Sequence, residues 1–365
     1  MKLSRIAKIG AVGAIAALAL AGCASNEGGG TSPSDGGGTA LTGTLSGSGA
    51  TSQQVAVQAW TAEFQTANPD VTVDYDPAGS GTGREAFQSG AVSFAGSDRA
   101  FKIEEIEAGP FDACAEGSDL VEIPAYVSPI AIAYNVEGVD TLNLDAATIA
   151  GIFAGTITNW NDDAIAATNS GVTLPDLAIT PVHRSDKSGT TANFTDYLAQ
   201  AAGDVWTYGS VEEWPIQGGE AAQGTSGVVN AIKGGNGTIG YADHSQTADM
   251  TSVNVQVGSE WVEPSADGAA IALDASSIEE GRAPTDLAFA IDRTTEESGA
   301  YPVMLVSYLI GCVEYADADA AALVKGFFTT AVSEAGQQTA ADNAGSAPIS
   351  SELAAQSQAA IDEIK

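Results

Sequence analysis

An α/β fold of two linked units is what this sequence predicts, and three observations carry the prediction. Short apolar, β-branched segments alternate along the chain with segments of helical period. Three successive strand-like segments end in Gly/Ser-rich turns that open a helix. Two long apolar runs, at 121–135 and 301–310, stand where the chain would cross from one unit to a second and back. A length of 365 residues suits about two domains, and a hydrophobic fraction of 44% supplies ordinary cores.

The N-terminus reads as an export signal. Lys2, Arg5 and Lys8 precede an apolar run at 9–21 that is too short to span a bilayer. Leu20-Ala21-Gly22-Cys23 resembles the bacterial lipoprotein processing box, which implies cleavage after residue 22 and a lipid on Cys23. Residues 23–40, rich in Gly and Ser, can bury almost nothing and are expected to form a flexible linker.

The first strand is expected at 41–46, followed by the turn Gly47-Ser48-Gly49-Ala50-Thr51-Ser52 and a helix at 55–67. A second strand at 71–75 leads through Gly79-Ser80-Gly81-Thr82-Gly83-Arg84 to a short helix ending near Gln88. A third at 91–95 runs into Gly96-Ser97-Asp98-Arg99, with a helix at 103–108. In an α/β sheet such turns gather outside the carboxyl ends of the strands, where ligands bind. After the apolar crossing at 121–135, which contains Ser128-Pro129, helices are expected at 144–153 and 164–169 and a strand at 177–182. The turn His183-Arg184-Ser185-Asp186-Lys187-Ser188-Gly189-Thr190 then opens a helix whose spacing is clear at 194–201. Residues 226–233 are amphipathic, 234–241 read as a turn and short strand, 252–262 as an edge hairpin or a loop with strand character, and 266–272 as an undecided insertion. The second crossing at 301–310 precedes helices at 317–332 and 350–364.

Charge narrows the partners. Without Lys2, Arg5 and Lys8 the chain has 10 basic residues against 47 acidic ones, a formal charge of −37. A nucleic-acid partner would need a basic face, so it is excluded. Five of those ten cations, Arg84, Arg99, Lys102, Arg184 and Lys187, fall in or just after the Gly/Ser loops, so any anion is attracted locally. With Cys23 assigned to lipid, Cys114 and Cys312 remain as an even pair in an oxidising compartment and are expected to be bonded.

The turn at 183–190 has the chemistry of an oxyanion site. Helix N-termini present unpaired N–H groups and partial positive charge, Arg184 adds a planar fork of donors, and Asp186 can hold that fork. The plainer alternative is that Ser188 or Thr190 caps a helix and Arg184 is a surface charge. Asp98 is the odd member. It repels an anion unless the guest carries a proton to donate, as phosphate does near neutral pH and sulfate does not. Otherwise Asp98 caps the helix near Ile103 or pairs with Arg99. Enzyme signatures are missing: the sequence holds no phosphate-loop motif, no third glycine of a dinucleotide fingerprint, no nucleophile elbow and no zinc spacing, and its histidines are His183 and His244 alone.

Together the loops resemble a family, the phosphate-binding proteins of the phosphate-specific ABC transporter. The marks are Gly47-Ser48-Gly49-Ala50-Thr51, Gly79-Ser80-Gly81-Thr82-Gly83, Ala95-Gly96-Ser97-Asp98, Ile152-Phe153-Ala154-Gly155 with Trp160-Asn161-Asp162, Arg184 through Thr190, and Gly237-Thr238-Ile239-Gly240-Tyr241. The resemblance implies a two-lobed, type II periplasmic-binding-protein-like fold with mixed sheets and two hinge crossings, one lobe at 41–125 and 299–365 and the other at 126–298. It implies Thr51, Ser52, Ser80, Gly81, Asp98, Arg184, Ser188, Gly189 and Thr190 as phosphate contacts, with Asp186 holding Arg184. Relatives often carry serine where Gly81 stands, so either Ser80 supplies the hydroxyl or backbone N–H groups alone serve. No metal, cofactor or catalysis is expected. The implied protein is an extracytoplasmic, lipid-anchored monomer that passes phosphate to a membrane permease. The alternatives are another tetrahedral oxyanion, or a phosphoester hydrolase using Ser188 or Thr51.

Overall fold

The computed structural model describes residues 40–365; the expected export signal, the lipid site at Cys23 and the 23–39 part of the linker lie outside the described residues. Strands β1 (Gly43–Gly49), β2 (Val71–Asp76) and β3 (Phe94–Ser97) lead to helices α1 (Gln54–Ala67), α2 (Ser80–Gln88) and α3 (Ile103–Ala108). β1 lies between β2 and β3, parallel to both, so the three polar turns emerge on one edge. Gly49 is required there: its φ is +151°, and a Cβ would sit 1.9 Å from the Gly96 carbonyl oxygen.

The crossing strand β4 (Leu120–Asn135) runs unbroken for 16 residues, through Pro129, and is buried to Tyr134. It is followed by β5 (Leu142–Leu144), α4 (Ala146–Phe153), α5 (Asp163–Thr168), β6 (Thr180–Arg184), α6 (Gly189–Ala201), β7 (Glu220–Ala222), α7 (Gly224–Gly234) and β8 (Thr238–Asp243). β9 (Thr251–Val257) and β10 (Glu260–Val262) form the edge hairpin, and α8 (Ala266–Asp274) resolves the undecided insertion as a helix capped by Ser265. Two-residue strands β11 (Ser277–Ile278) and β12 (Phe289–Ala290) precede β13 (Met304–Cys312), α9 (Ala318–Val332), α10 (Glu334–Ala344) and α11 (Ser351–Asp362).

The main sheet has the order β2-β1-β3-β13-β4-β8-β6-β7. β4 is its spine. Residues Leu120 to Pro129 pair antiparallel with β13, and Ile130 to Asn135 pair with β8, so this one strand passes between the two halves of the sheet. Both halves carry helices against an apolar interior. Phe64, Phe94, Phe327 and Phe328 meet edge-on or tilted in the first; in the second Phe153 meets Phe194 edge-on, and Phe194 and Trp214 stack on Tyr241. Each of these phenylalanine rings is buried and contributes about 2–3 kcal/mol.

Departures from the sequence expectation have local causes. The segment before β6 is not strand from residue 177, because Trp160 N–H donates to Leu177 O and Ile179 N–H to Thr158 O, drawing it onto a turn. α6 starts five residues earlier than its apolar spacing, because the Ser188 hydroxyl accepts from Thr191 N–H. α10, which has no strong apolar stripe in sequence, forms against α1, where Trp60 Nε1–H donates to Gly336 O at 2.8 Å. Cys114 and Cys312 are joined by a disulfide, their Cα atoms 5.4 Å apart.

Asp243, at the end of β8, is fully buried beside β4, where Tyr126 Oη–H donates to its Oδ1 at 2.9 Å and Ser245 N–H at 3.0 Å. Burial, only partly offset by hydrogen bonds from Ser245, Ser128 and Tyr126, raises its carboxyl to about 7. The folded state therefore holds a proton that the unfolded chain releases from about pH 4. This contribution to stability is complete below about pH 4 and is lost as pH rises to about 7. At about 1.4 kcal/mol per unit its upper bound is about 4 kcal/mol. Asp243→Asn, neutral throughout, is expected to match the parent near pH 4 and to melt progressively higher than it towards pH 8. Parallel melting curves across that range would contradict the assignment.

Candidate functional site

β3 delivers Asp98 into the interior with 2% of its surface exposed. Its Oδ1 accepts from the hydroxyls of Ser52 at 2.5 Å and Ser307 at 2.9 Å, and its Oδ2 from the hydroxyl of Thr190 at 2.9 Å. The Asp98 N–H donates to Ser80 Oγ at 3.2 Å, and Asn193 Nδ2 donates to the Asp98 carbonyl at 2.6 Å. A carboxylate has room for about four donors, and three are in place. Burial raises the Asp98 carboxyl, while Ser52, Ser307, Thr190 and the charge of Arg184 hold it down in part. Asp98 neither caps α3 nor pairs with Arg99: the residue before α3 is Lys102, and Arg99 binds Glu105 instead.

Opposite Asp98, β6 ends on Arg184, which is 3% exposed. Its Nε donates to Asp186 Oδ1 at 2.8 Å and its Nη2 to Asp186 Oδ2, so one face of the fork is fixed. Its Nη1 has no partner among the described residues. Gly224 N–H also donates to Asp186 Oδ1, at 3.1 Å. Burial alone would raise the Asp186 carboxyl, but Arg184 and the backbone donor outweigh it and hold it low. Gly189 then opens α6 against the other half: a Cβ there would lie 2.6 Å from Ser80 Oγ and 2.7 Å from Asp98 Cβ. Only glycine lets these elements approach so closely.

The structure thus brings Ser52, Ser80, Asp98, Gly189 and Thr190 into direct contact, with Arg184 close enough for its charge to act on Asp98. The remaining expected residues are engaged differently. The Thr51 hydroxyl lies 2.9 Å from that of Thr225 and accepts from Thr225 N–H, so it turns towards α7. Gly81 N–H donates to Lys187 O at 3.2 Å, and Ser188 N–H donates to Glu212 O at 3.1 Å. Neither α1 nor α2 has a side chain capping its first turn, so both helices bring bare N–H groups to this edge.

Several participants were not legible in the sequence. Ser307 sits in an apolar run, and the ladder between β13 and β4 shifts register between Ser307 and Tyr308. Such irregularities re-aim side chains, and here the hydroxyl reaches Asp98. Its one sequence signal is a lone serine in a buried strand. Asn193 shares the inward face of α6 one turn after Gly189, and Glu212 lies in a loop with no motif. His183 stacks on Trp214 with centroids 4.9 Å apart, and its ring nitrogens face the carbonyls of Arg184 and Gly218. It is therefore not aimed at Ser188 or Thr51 as a base. A groove of about 490 Å³ flanks the Asp98 cluster, lined by Arg84, Arg99, Lys187 and Glu212 among others.

Comparison with known proteins shows the family. The family described as the PBP superfamily domain matches residues 34–335. The chain is 33% identical to phosphate-binding protein PstS2 of Mycobacterium bovis (strain BCG / Pasteur 1173P2), with all of both chains covered. It is 34% identical to phosphate-binding protein PstS 3 of Mycobacterium tuberculosis (strain ATCC 25618 / H37Rv), again over 100% of each. Among solved structures, a high affinity periplasmic phosphate-binding protein (PfluDING) bound with phosphate superposes with a TM-score of 0.72 at 24% identity, over 87% of this chain and 93% of that one. At that identity the likeness speaks for the fold.

Proposed function

The chain belongs to the phosphate-binding proteins of the PBP superfamily, and from that premise we propose that it captures inorganic phosphate between its two sheet halves and delivers it to an ABC-type permease. The observation that carries this reading is the pairing of Asp98 and Arg184, a buried acceptor and a buried cation on opposite halves, in a chain that is otherwise strongly acidic. Arg184 Nη1, the N–H groups at the starts of α1, α2 and α6, and the hydroxyls of Ser80 and Ser188 are the donors for the anion, while Ser52 and Thr190, whose single hydroxyl protons go to Asp98, serve through backbone N–H groups. Thr51 and Gly81 lie at the edge of this cage, the Thr51 hydroxyl meeting Thr225 and the Gly81 N–H meeting Lys187 O. Asp98 accepts the proton that phosphate brings.

In this reading the halves are lobes at 41–125 with 299–365 and at 126–298, and β4 and β13 are the hinge crossings. The binding reaction involves no bond making, and the relatives are binding proteins. Among the described residues no helix is long and apolar enough to cross a membrane. In the same reading a lipid on Cys23 attaches the protein to the membrane, with the acidic domain held extracytoplasmically as a monomer on the 23–40 linker. Titration calorimetry of the phosphate-stripped protein tests the function directly. Phosphate is expected to bind one to one and tightly, arsenate to compete, and sulfate to be ignored. Equal heats for phosphate and sulfate would sink the role given to Asp98.

A further inference from the structure

Arg84 and Arg99 stand on either side of Asp98 and are not part of the phosphate cage described above. Both reach across to one carboxylate. Arg84 Nη2 donates to Glu212 Oε1 at 2.6 Å and Oε2 at 2.7 Å, and Arg99 Nη2 donates to Glu212 Oε2 at 2.7 Å. The two arginines are tied to the strand that presents Asp98: Arg84 Nη1 donates to Ser97 Oγ at 2.6 Å, and Ser97 Oγ–H donates to Arg99 O at 2.6 Å. Arg99 is anchored further by a two-pronged pair with Glu105 at 2.7 and 2.8 Å.

Glu212 moves with the opposite half. Val211 N–H donates to Thr195 Oγ1 at 2.9 Å, Ser210 Oγ–H to Ala192 O at 3.1 Å, and Ser188 N–H to Glu212 O at 3.1 Å, so the loop is fastened to the first turns of α6. Any motion that parts Thr190 from Asp98 must also part Glu212 from both arginines. Separation by a few ångströms is enough, since hydrogen bonds weaken steeply beyond about 3.2 Å.

We propose that Glu212 is a positioning residue that acts as a closure clasp, slowing phosphate release by fastening both flanks of Asp98 to the Ser188 loop once the halves have met. The inference rests on the reading of the protein as a phosphate-capturing trap. Burial is what separates this contact from ordinary surface pairing. The side chains of Arg84, Glu212 and Arg99 are 5%, 18% and 17% exposed, whereas the ion pair Lys187 with Glu85, which also links the halves, is 46% and 60% exposed and is worth little. Charge-assisted, largely desolvated guanidinium–carboxylate contacts are the stronger class. The clasp also accounts for cations close to the site that do not bind the guest: with Glu212 between them, the charges of Arg84 and Arg99 are met within the protein.

A clasp formed only after closure affects departure rather than arrival. In stopped-flow measurements with inorganic phosphate, Glu212→Gln is expected to raise the release rate about tenfold or more, to change the association rate less than about threefold, and to leave the phosphate-over-sulfate ratio unaltered. A purely structural role would lower the melting temperature of the ligand-free protein and leave the release rate alone. Arg99→Met, which removes one arm at a partly exposed position, is the second variant and is expected to raise release about threefold to tenfold. Release rates within about twofold of the parent in the folded variants would overturn the clasp. If the parent itself takes up no phosphate, the functional reading has failed instead, and the two failures are distinct.

Discussion

Asp98→Asn is expected to reduce the preference for phosphate over sulfate by about 10²-fold or more. A site that demands a hydrogen bond from its ligand can reject an analogue lacking that donor by about 10⁴, because a buried group is then left unpaired or repelled. Asp98 has that position: it is buried, three hydroxyls already donate to it, and its remaining capacity is for one further donor. Phosphate can supply it, whereas sulfate brings only lone pairs against a negative charge. Asparagine keeps the shape, removes the charge and offers an N–H of its own, so sulfate gains most. Calorimetry of both anions on parent and variant reads the ratio, and a ratio that does not move would remove Asp98 as the selector. The variant also bears on pH. Burial raises the Asp98 carboxyl, so the parent loses its acceptor on acidification at a higher pH than a free aspartate would, and asparagine removes that dependence.

The second large effect is expected at Arg184. Its fork is held on one side by Asp186, which leaves the other side to a guest, and a hydrogen bond to a charged group contributes about 1.5–3 kcal/mol. Arg184→Met removes that contact and the cation together. It also leaves the carboxylates of Asp186 and Asp98 uncompensated around an incoming anion. With about 4 kcal/mol lost in all, phosphate affinity should fall by about 10³-fold. Retention of affinity within about tenfold would show that backbone dipoles alone hold the anion. Arg184→Lys separates charge from geometry. An ammonium keeps the charge but cannot grip Asp186 with two parallel bonds, so an intermediate loss is expected.

Much of the site was legible before any coordinate was known, because its chemistry is local. A strand, a glycine turn and a helix start occupy fewer than twenty residues, and each of the three copies in the first half appears as an element of the expected type within two or three residues. Ser188 as a helix cap and Asp186 as the partner of Arg184 follow from separations of two or three positions. Neighbours in sequence are neighbours in space at that range. The departures at β6 and α10 have the opposite origin. Strand propensity at 177–179 yields to a turn made by residues 158–160, and a weakly amphipathic helix is stabilised by α1 from almost three hundred residues away.

By itself the sequence determined the α/β class, the acidic balance, the polar strand ends and the identity of the loops, since period, charge and turn chemistry are properties of short stretches. Only the tertiary structure decided that the expected crossing is one unbroken strand through Pro129, that a register shift turns Ser307 onto Asp98, and that Glu212 answers Arg84 and Arg99. Those pairings link residues about 110 to 210 positions apart. Distance along the chain leaves no periodic trace, and such contacts exist only once the sheet has set the two halves face to face.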